Sequence, residues 1–372
     1  MTRRHSIVGL LLLLLVTATI YAPSRSIGWV YEDVNWSRTL STQSGWPVLV
    51  APSRALMIAT LAWTGDDVAH AHLVNVALHL LVGLCVYALG RRLLTGTIAP
   101  LVASMVYLLH PLSSQAVLYL SGRGDLLVTL FVSSAVVLAI HPSVSLWRWA
   151  LVGCAVIAAG ASKEIGLIGI PLLLLTLLIW RPRTPQTTVT CAAVLVGVVG
   201  IATSRWPVFR GIWNFQWQDF VASGGGTSLP WTQFVLLQNA AIWDLLTLFV
   251  RMRGFTIDHD PLAFSIVWQM TTAALTGVSV LTIGLTWRRH PLVAWTLAWV
   301  GVALAPRFLF PTEEFVAEHH LILAMVGLSL GAAATARAAW RSWGIERDFW
   351  STLRGRERSL DLMRDGGIHI HG

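Results

Sequence analysis

The sequence predicts an all-α, polytopic integral membrane protein, and three observations carry that prediction. Hydrophobic residues make up 55% of the 372 and charged residues only 12%, with a mean hydropathy of +0.66, a balance foreign to an ordinary soluble domain. The apolar residues gather in runs that approach the roughly 20 residues a helix needs to cross a bilayer. The basic residues, arginine everywhere except Lys163, stand beside these runs, where they set topology and meet lipid headgroups. The net charge of +8 is thereby explained by a membrane surface and argues against nucleic acid. Cys85, Cys154 and Cys191 lie inside apolar runs, where cysteine acts as a small hydrophobe, and form no CxxC or zinc pattern.

Taken in order, Ile7 to Ile20 behind Arg3-Arg4-His5 reads as an uncleaved first helix, although a secretory signal has the same basic-then-apolar order. A polar stretch, about 23–70, follows and carries Arg25, Glu32, Asp33, Arg38, Arg54, Asp66 and Asp67. Inside it Ala55 to Trp63 is apolar but too short to span, which predicts an interfacial helix. Candidate spans come next near 71–90, 97–110, 124–140, 147–161, 165–180 and 188–204, parted by polar or basic breaks such as Arg91-Arg92 and Arg181-Pro182-Arg183. The stretch from Arg205 to Pro230, with Gly224-Gly225-Gly226, reads as loop. Thr232 to Val250 is long enough to span yet carries Gln233, Gln238, Asn239 and Asp244, which predicts a helix lying in the interface or packed against protein. Spans near 264–286, 291–310 and 321–340 complete a single domain, 1–340, with outer loops at about 23–70 and 205–263 and a charged cytoplasmic tail, 341–372. That makes about ten transmembrane helices.

Placing the N-terminus in the cytoplasm puts Arg3-Arg4, Arg91-Arg92, Arg148, Arg181, Arg183, Arg288-Arg289 and the basic tail on the cytoplasmic side, as the positive-inside rule requires. Every Asp and Glu before residue 340 then falls on the outer side or at its edge. Avoidance of charge in the bilayer accounts for part of this asymmetry, and the remainder locates the chemistry outside.

The first acidic pair, Glu32-Asp33, lies between Trp29, Tyr31 and Trp36, aromatics suited to the headgroup level. A carboxylate there can serve as general base on a hydroxyl; a solvated loop pair is the plainer alternative. In Ser121-Gly122-Arg123-Gly124-Asp125 the glycines permit close backbone approach, Asp125 can cap a helix, and Arg123 can meet a phosphate or fix the loop through a carboxylate. Lys163-Glu164 sits at a turn between apolar runs, where the lysine can contact phosphate or form an interfacial ion pair. Asp258-His259-Asp260-Pro261 and Glu313-Glu314 with Glu318-His319-His320 offer carboxylates and imidazoles without a diagnostic spacing, so no metal is assigned. Walker, GxGxxG and Ser-His-Asp patterns are missing, and ionisable residues are scarce within the apolar runs, which disfavours a transporter.

In order along residues 25 to 335, these segments resemble the membrane half of the transmembrane O-mannosyltransferases that carry tetratricopeptide repeats, and their bacterial relatives, in the GT-C class of glycosyltransferases. Glu32-Asp33 is similar to the acidic pair of the first outer loop. Arg54 and His72-Leu73-Val74-Asn75-Val76-Ala77-Leu78-His79 resemble an arginine followed by a histidine-led helix. Leu109-His110-Pro111 and Ser121 to Leu127 resemble an HP…GRxDLL stretch, and Lys163-Glu164-Ile165-Gly166 a KExG turn. Gly254 to Pro261 resembles GLSxDHDxP, and Phe310-Pro311 through Glu318-His319-His320-Leu321 resembles FP…AERxLYLPS. This chain departs from the pattern with Glu32 for Asp, His319 for Arg, and Ile322, Ala324 and Met325 for Tyr, Pro and Ser, and its tail holds no tetratricopeptide repeats.

The resemblance implies a GT-C-like fold in a bacterial inner membrane, with interfacial helices in the outer loops and both termini cytoplasmic. It implies a sugar donor carried on polyprenyl phosphate, a protein or glycan acceptor outside, and no cofactor or metal. Asp33, with Glu32, becomes the base. Arg123, Lys163 and His319 become donor-phosphate contacts, supported by Arg54, Asp125, Glu164, Asp258, His259 and Glu318. A catalytically silent subunit of the same fold, serving as scaffold for membrane-protein partners, is the alternative that the departures favour.

Overall fold

The computed structural model describes residues 3–30, 33, 54–141, 145–180, 231–255, 264–309 and 317–343. The expected span 188–204, the Arg205 to Pro230 loop, Glu32, the Asp258-His259-Asp260 segment and the tail beyond 343 lie outside the described residues. Among the described residues all regular structure is helical. The helices are α1 (Arg3–Tyr21), α2 (Ala55–Thr64), α3 (Val68–Leu93), α4 (Ile98–Leu109), α5 (Ser114–Leu118), α6 (Arg123–Ala139) and α7 (Leu146–Gly160). They continue as α8 (Gly169–Trp180), α9 (Trp231–Arg251), α10 (Ile266–Thr286), α11 (Pro291–Leu304), α12 (Pro306–Leu309) and α13 (Ala324–Ser342).

Five of these segments are long and apolar enough to cross a membrane: Ser6–Ser26, Val68–Leu93, Trp231–Arg251, Ile266–Thr286 and Pro291–Phe308. A sixth arises if α4 and α5, bent by 55° at His110-Pro111, count as one broken span. The sequence pattern called for about ten; α7 and the Glu164–Trp180 segment are apolar but shorter than a full crossing. As expected, the apolar stretch before Asp66 forms only a short helix, α2. Asp67 caps α3 by accepting from the His70 N–H at 3.0 Å, so the long helix starts at a carboxylate.

The reading of Thr232 to Val250 as a helix lying in the interface or packed against protein rested on its polar residues, and the structure shows where those go. Gln238 and Asn239 are buried, and Asn239 accepts from Thr276 of α10 at 2.7 Å. Trp243 donates to the same hydroxyl at 2.8 Å. Gln238 and Asn239 thus face protein, whereas Gln233 is exposed and Asp244 pairs with Arg251 at 3.3 Å near the end of the helix.

Packing at the centre relies on small residues and satisfied tryptophans. At Gly90 of α3 a Cβ would lie 2.9 Å from the Pro100 Cα of α4, so the two backbones touch as only glycine permits. Trp295 donates to Thr176 at 2.9 Å and Trp299 to the Leu323 carbonyl at 2.9 Å, which locks α11 to α8 and to the start of α13.

The bundle has two unlike ends. At one, the starts of α3, α6, α8 and α13 meet the ends of α4, α7 and α11, and there lie Asp33, Asp66, Asp67, Asp125, Glu164 and Glu318. At the other, Arg92 donates to the Val137 carbonyl at 2.6 Å, Arg148 meets His141 at 2.7 Å, and Arg337 packs on Gly96. Among the described residues these carboxylates gather at one end of the bundle, together with Arg54, Arg123, Lys163 and Arg307, while Arg92, Arg148 and Arg337 lie at the other.

Candidate functional site

The acidic end is organised around the turn that leads into α6. A Cβ at Gly122 would lie 2.5 Å from the Ala116 carbonyl oxygen, so no side chain fits there and the chain folds tightly back on α5. This turn presents two backbone N–H groups to Asp33. Leu120 donates to Oδ2 at 3.0 Å and Ser121 to Oδ1 at 2.7 Å. Asp33 is fully buried and sits just before the positive end of α6, where a carboxylate is favoured.

Arg123, expected to meet a phosphate, is fully buried. Its Nε donates to Asn75 Oδ1 at 2.9 Å, Nη1 to the Thr60 carbonyl at 2.8 Å and Nη2 to the Ala71 carbonyl at 2.6 Å. Asn75 in turn donates to the carbonyls of Val117 and Tyr119, at 3.2 and 2.8 Å. The guanidinium therefore ties α2 and α3 to the turn below Asp33, and its charge reaches the site through electrostatic attraction to that carboxylate. Close packing and three protein acceptors leave it a builder of the site rather than a ligand to a free anion.

Two residues further along α6, Asp125 Oδ2 accepts from the Lys163 ammonium at 2.7 Å, with side-chain exposures of 5% and 20%. Lys163 is placed by a turn in which Gly166 packs directly on the Ala159 carbonyl, leaving no room for a Cβ. Beside it Arg54 donates to Glu164 at 2.8 Å, and the Leu56 N–H donates to the Ala161 carbonyl at 2.8 Å, so α2 is pinned to the end of α7. The partly exposed Arg54–Glu164 pair contributes little by itself.

The third wall is the turn Glu318–Leu321. Glu318 is buried, the His319 N–H donates to Gln115 Oε1 at 2.7 Å, and His320 Nδ1 accepts from the Ala317 N–H at 3.2 Å. Burial pushes the His319 imidazole down to about 3, against the attraction of Asp125, and the charges of Lys163 and Arg307 push the same way as burial. His320 is likewise held well below the ordinary histidine range by burial and by Arg307. His319 is thus neutral at pH 7, which corrects its expected role as a cation: it can offer an N–H but no charge.

This has a pH consequence with a definite sign. In the unfolded chain an imidazole titrates near 6.5, and in the fold His319 does so only at about 3. Between those values the unfolded chain binds the extra proton, so the stability is complete above pH of about 6.5 and is lost as the pH falls toward 3. The melting temperature of detergent-solubilised protein is expected to be lower at pH 5 than at pH 7.5, and His319→Gln is expected to flatten that slope. Equal melting temperatures at both pH values would contradict this.

Asp33, Arg123, Asp125, Lys163, Glu318 and His319 are therefore gathered at one end, and Arg54 and Glu164 flank them as a pair. Glu32, Asp258 and His259 lie outside the described residues. Sequence reasoning missed Arg307, which acts electrostatically on Asp125, His319 and His320. It was counted inside the apolar run 291–310, whereas α11 stops at Leu304 and Pro306 starts the separate α12. A proline followed by an arginine within an apolar run was the available signal. Gln115 was also missed, because a lone glutamine after His-Pro has no distinguishing pattern.

The comparisons with known proteins come down to one partial likeness. No model of a known protein family matches the chain, and no solved structure matches it. A stretch of 104 residues is 32% identical to the Protein O-mannosyl-transferase F38B6.6 of Caenorhabditis elegans, covering 27% of this chain and 15% of that protein. The chain is, over that stretch, distantly similar to a mannosyltransferase.

Proposed function

We propose that the protein is a GT-C-like inverting glycosyltransferase that moves a sugar from a polyprenyl-phosphate donor to an acceptor hydroxyl at the outer face of the membrane. The observation that carries this reading is the acidic end of the bundle. There a candidate base, Asp33, and a cationic group, Lys163, flank the first turn of a single helix, α6. The partial likeness to an O-mannosyltransferase points to the same chemistry. As the acceptor oxygen attacks C1 of the sugar, its proton leaves to the acidic site and the C1–O bond to phosphate breaks, the electron pair going to the phosphate. Lys163 and Arg307 supply the charge that meets the leaving phosphate, and His319 supplies an N–H. Arg123 is withdrawn from that set, because its donors serve Asn75, Thr60 and Ala71. The arginine-lined end supports a cytoplasmic placement of that face and of both termini in a bacterial inner membrane. A protein or glycan hydroxyl outside is the acceptor, and no cofactor takes part.

A catalytically silent scaffold is the second reading, favoured by the complete burial of Asp33 and by a neutral His319 where the resembling enzymes have arginine. The test is transfer of labelled sugar from polyprenyl-phosphate mannose to membrane acceptors by the full chain in lipid nanodiscs. Wild type is expected to transfer, and Asp33→Asn, which keeps the shape and one of the two N–H contacts, is expected to be slower by about 10²-fold. No transfer by wild type in any acceptor fraction leaves the scaffold reading.

A further inference from the structure

Among the described residues, the polar side chains around Asp33 have hydrogen-bond partners, with one exception. Arg123 uses its three nitrogens on protein acceptors, and Asn75 uses its oxygen and its amide group. Each oxygen of Asp33 already takes one backbone N–H. The exception is His72, in the second turn of α3. It is fully buried, and neither Nδ1 nor Nε2 has a hydrogen-bond partner among the described residues. The carbonyls of Ile27 and Gly28, which lead into Asp33, lie beside the ring but outside hydrogen-bond geometry, and Asp33 and Arg123 act on it electrostatically. Leaving a buried polar atom unpaired costs about 1–3 kcal/mol, and such atoms in a native fold call for an explanation, a catalytic role among them. His79, two turns below on the same face, differs in degree: its Nε2 donates to the Leu108 carbonyl at 3.1 Å and only its Nδ1 is unpaired.

We propose that His72 is the group that receives the acceptor proton, with Asp33 as the carboxylate that supports it. Resting on the glycosyltransferase reading, this deepens it by dividing the base between two residues. The acceptor hydroxyl donates to a ring nitrogen of His72. As its oxygen bonds to C1 and the phosphate leaves with the C1–O pair, the proton passes to that nitrogen. Asp33, immobilised by Leu120 and Ser121, balances the imidazolium, which then returns the proton to water.

The experiment compares wild type, His72→Phe and His72→Gln in nanodiscs, with polyprenyl-phosphate mannose as donor and thermal melting recorded for each. His72→Phe removes both nitrogens without opening a cavity, and His72→Gln keeps a hydrogen-bonding group that cannot carry the proton. Both are expected to lose at least about 10²-fold in kcat with the donor KM within about twofold of wild type. Transfer by either variant at the wild-type kcat overturns the role of His72 while leaving the transferase reading intact. Wild type that transfers nothing overturns both. If His72→Phe fails to fold, His72→Gln alone decides, and a rise in donor KM with unchanged kcat counts against the proposal.

Discussion

Replacing Arg123 by methionine is expected to destabilise the protein by about 3–5 kcal/mol, the largest effect of any single substitution at the acidic end. The guanidinium has no exposed surface, and its removal takes a donor from three acceptors at once: Asn75 Oδ1 and the carbonyls of Thr60 and Ala71. Methionine fills much of the same space and can donate to none of them. Replacing a whole buried ionic group by apolar side chains is often harmless, but here two of the three acceptors are backbone and stay behind. Lysine is no remedy, since one ammonium cannot reproduce a planar fork aimed at three separate oxygens. Asp33 also loses its neighbouring positive charge. The measurement is melting of the purified protein in detergent, together with the yield from membranes. A melting temperature within about 1 °C of wild type, combined with lost donor binding, would instead return Arg123 to the role of phosphate ligand.

Arg123 also shows where sequence reading stops. The helical membrane scaffold was legible because apolar runs and flanking arginines are local signals, but the helix starts were not: α3 begins at the Asp67 cap rather than near residue 71, and Asp125, expected as a cap, lies inside the first turn of α6. The grouping of Asp33, Asp125, Lys163 and Glu318 at one end followed from alternating the runs across a bilayer. Roles within that group were not legible, because they depend on contacts between residues far apart in the chain. Nothing near Arg123 announces that Thr60 and Ala71, 63 and 52 positions away, will take its donors. His319 was read as a cation from its residue type, and burial decides otherwise. His72 looked like one letter of a helix pattern, and only its unpaired nitrogens set it apart.

Replacing Lys163 by methionine is expected to slow sugar transfer by about 10³-fold, roughly 4 kcal/mol of lost transition-state stabilisation. Among the described residues its ammonium is the cation ion-paired to Asp125, and with a fifth of its side chain exposed it can turn toward a ligand. A pair that is 2.7 Å apart at rest holds the charge in place before the phosphate arrives. The substitution also leaves the Asp125 carboxylate buried without its closest partner, so a loss of activity alone could come from a disturbed fold. The double variant Lys163→Met with Asp125→Asn separates the two effects. Removing both charges together relieves the buried carboxylate, so stability should recover toward wild type, whereas the leaving phosphate still lacks its cation and transfer should stay low. Lys163→Arg keeps the charge and is expected to retain the fold while restoring only part of the rate, because a wider, planar group must share the space with Asp125. Recovery of wild-type transfer in the double variant would make the pair a structural strut, and the charge on the leaving phosphate would then have to come from Arg307, whose guanidinium acts electrostatically on Asp125, His319 and His320.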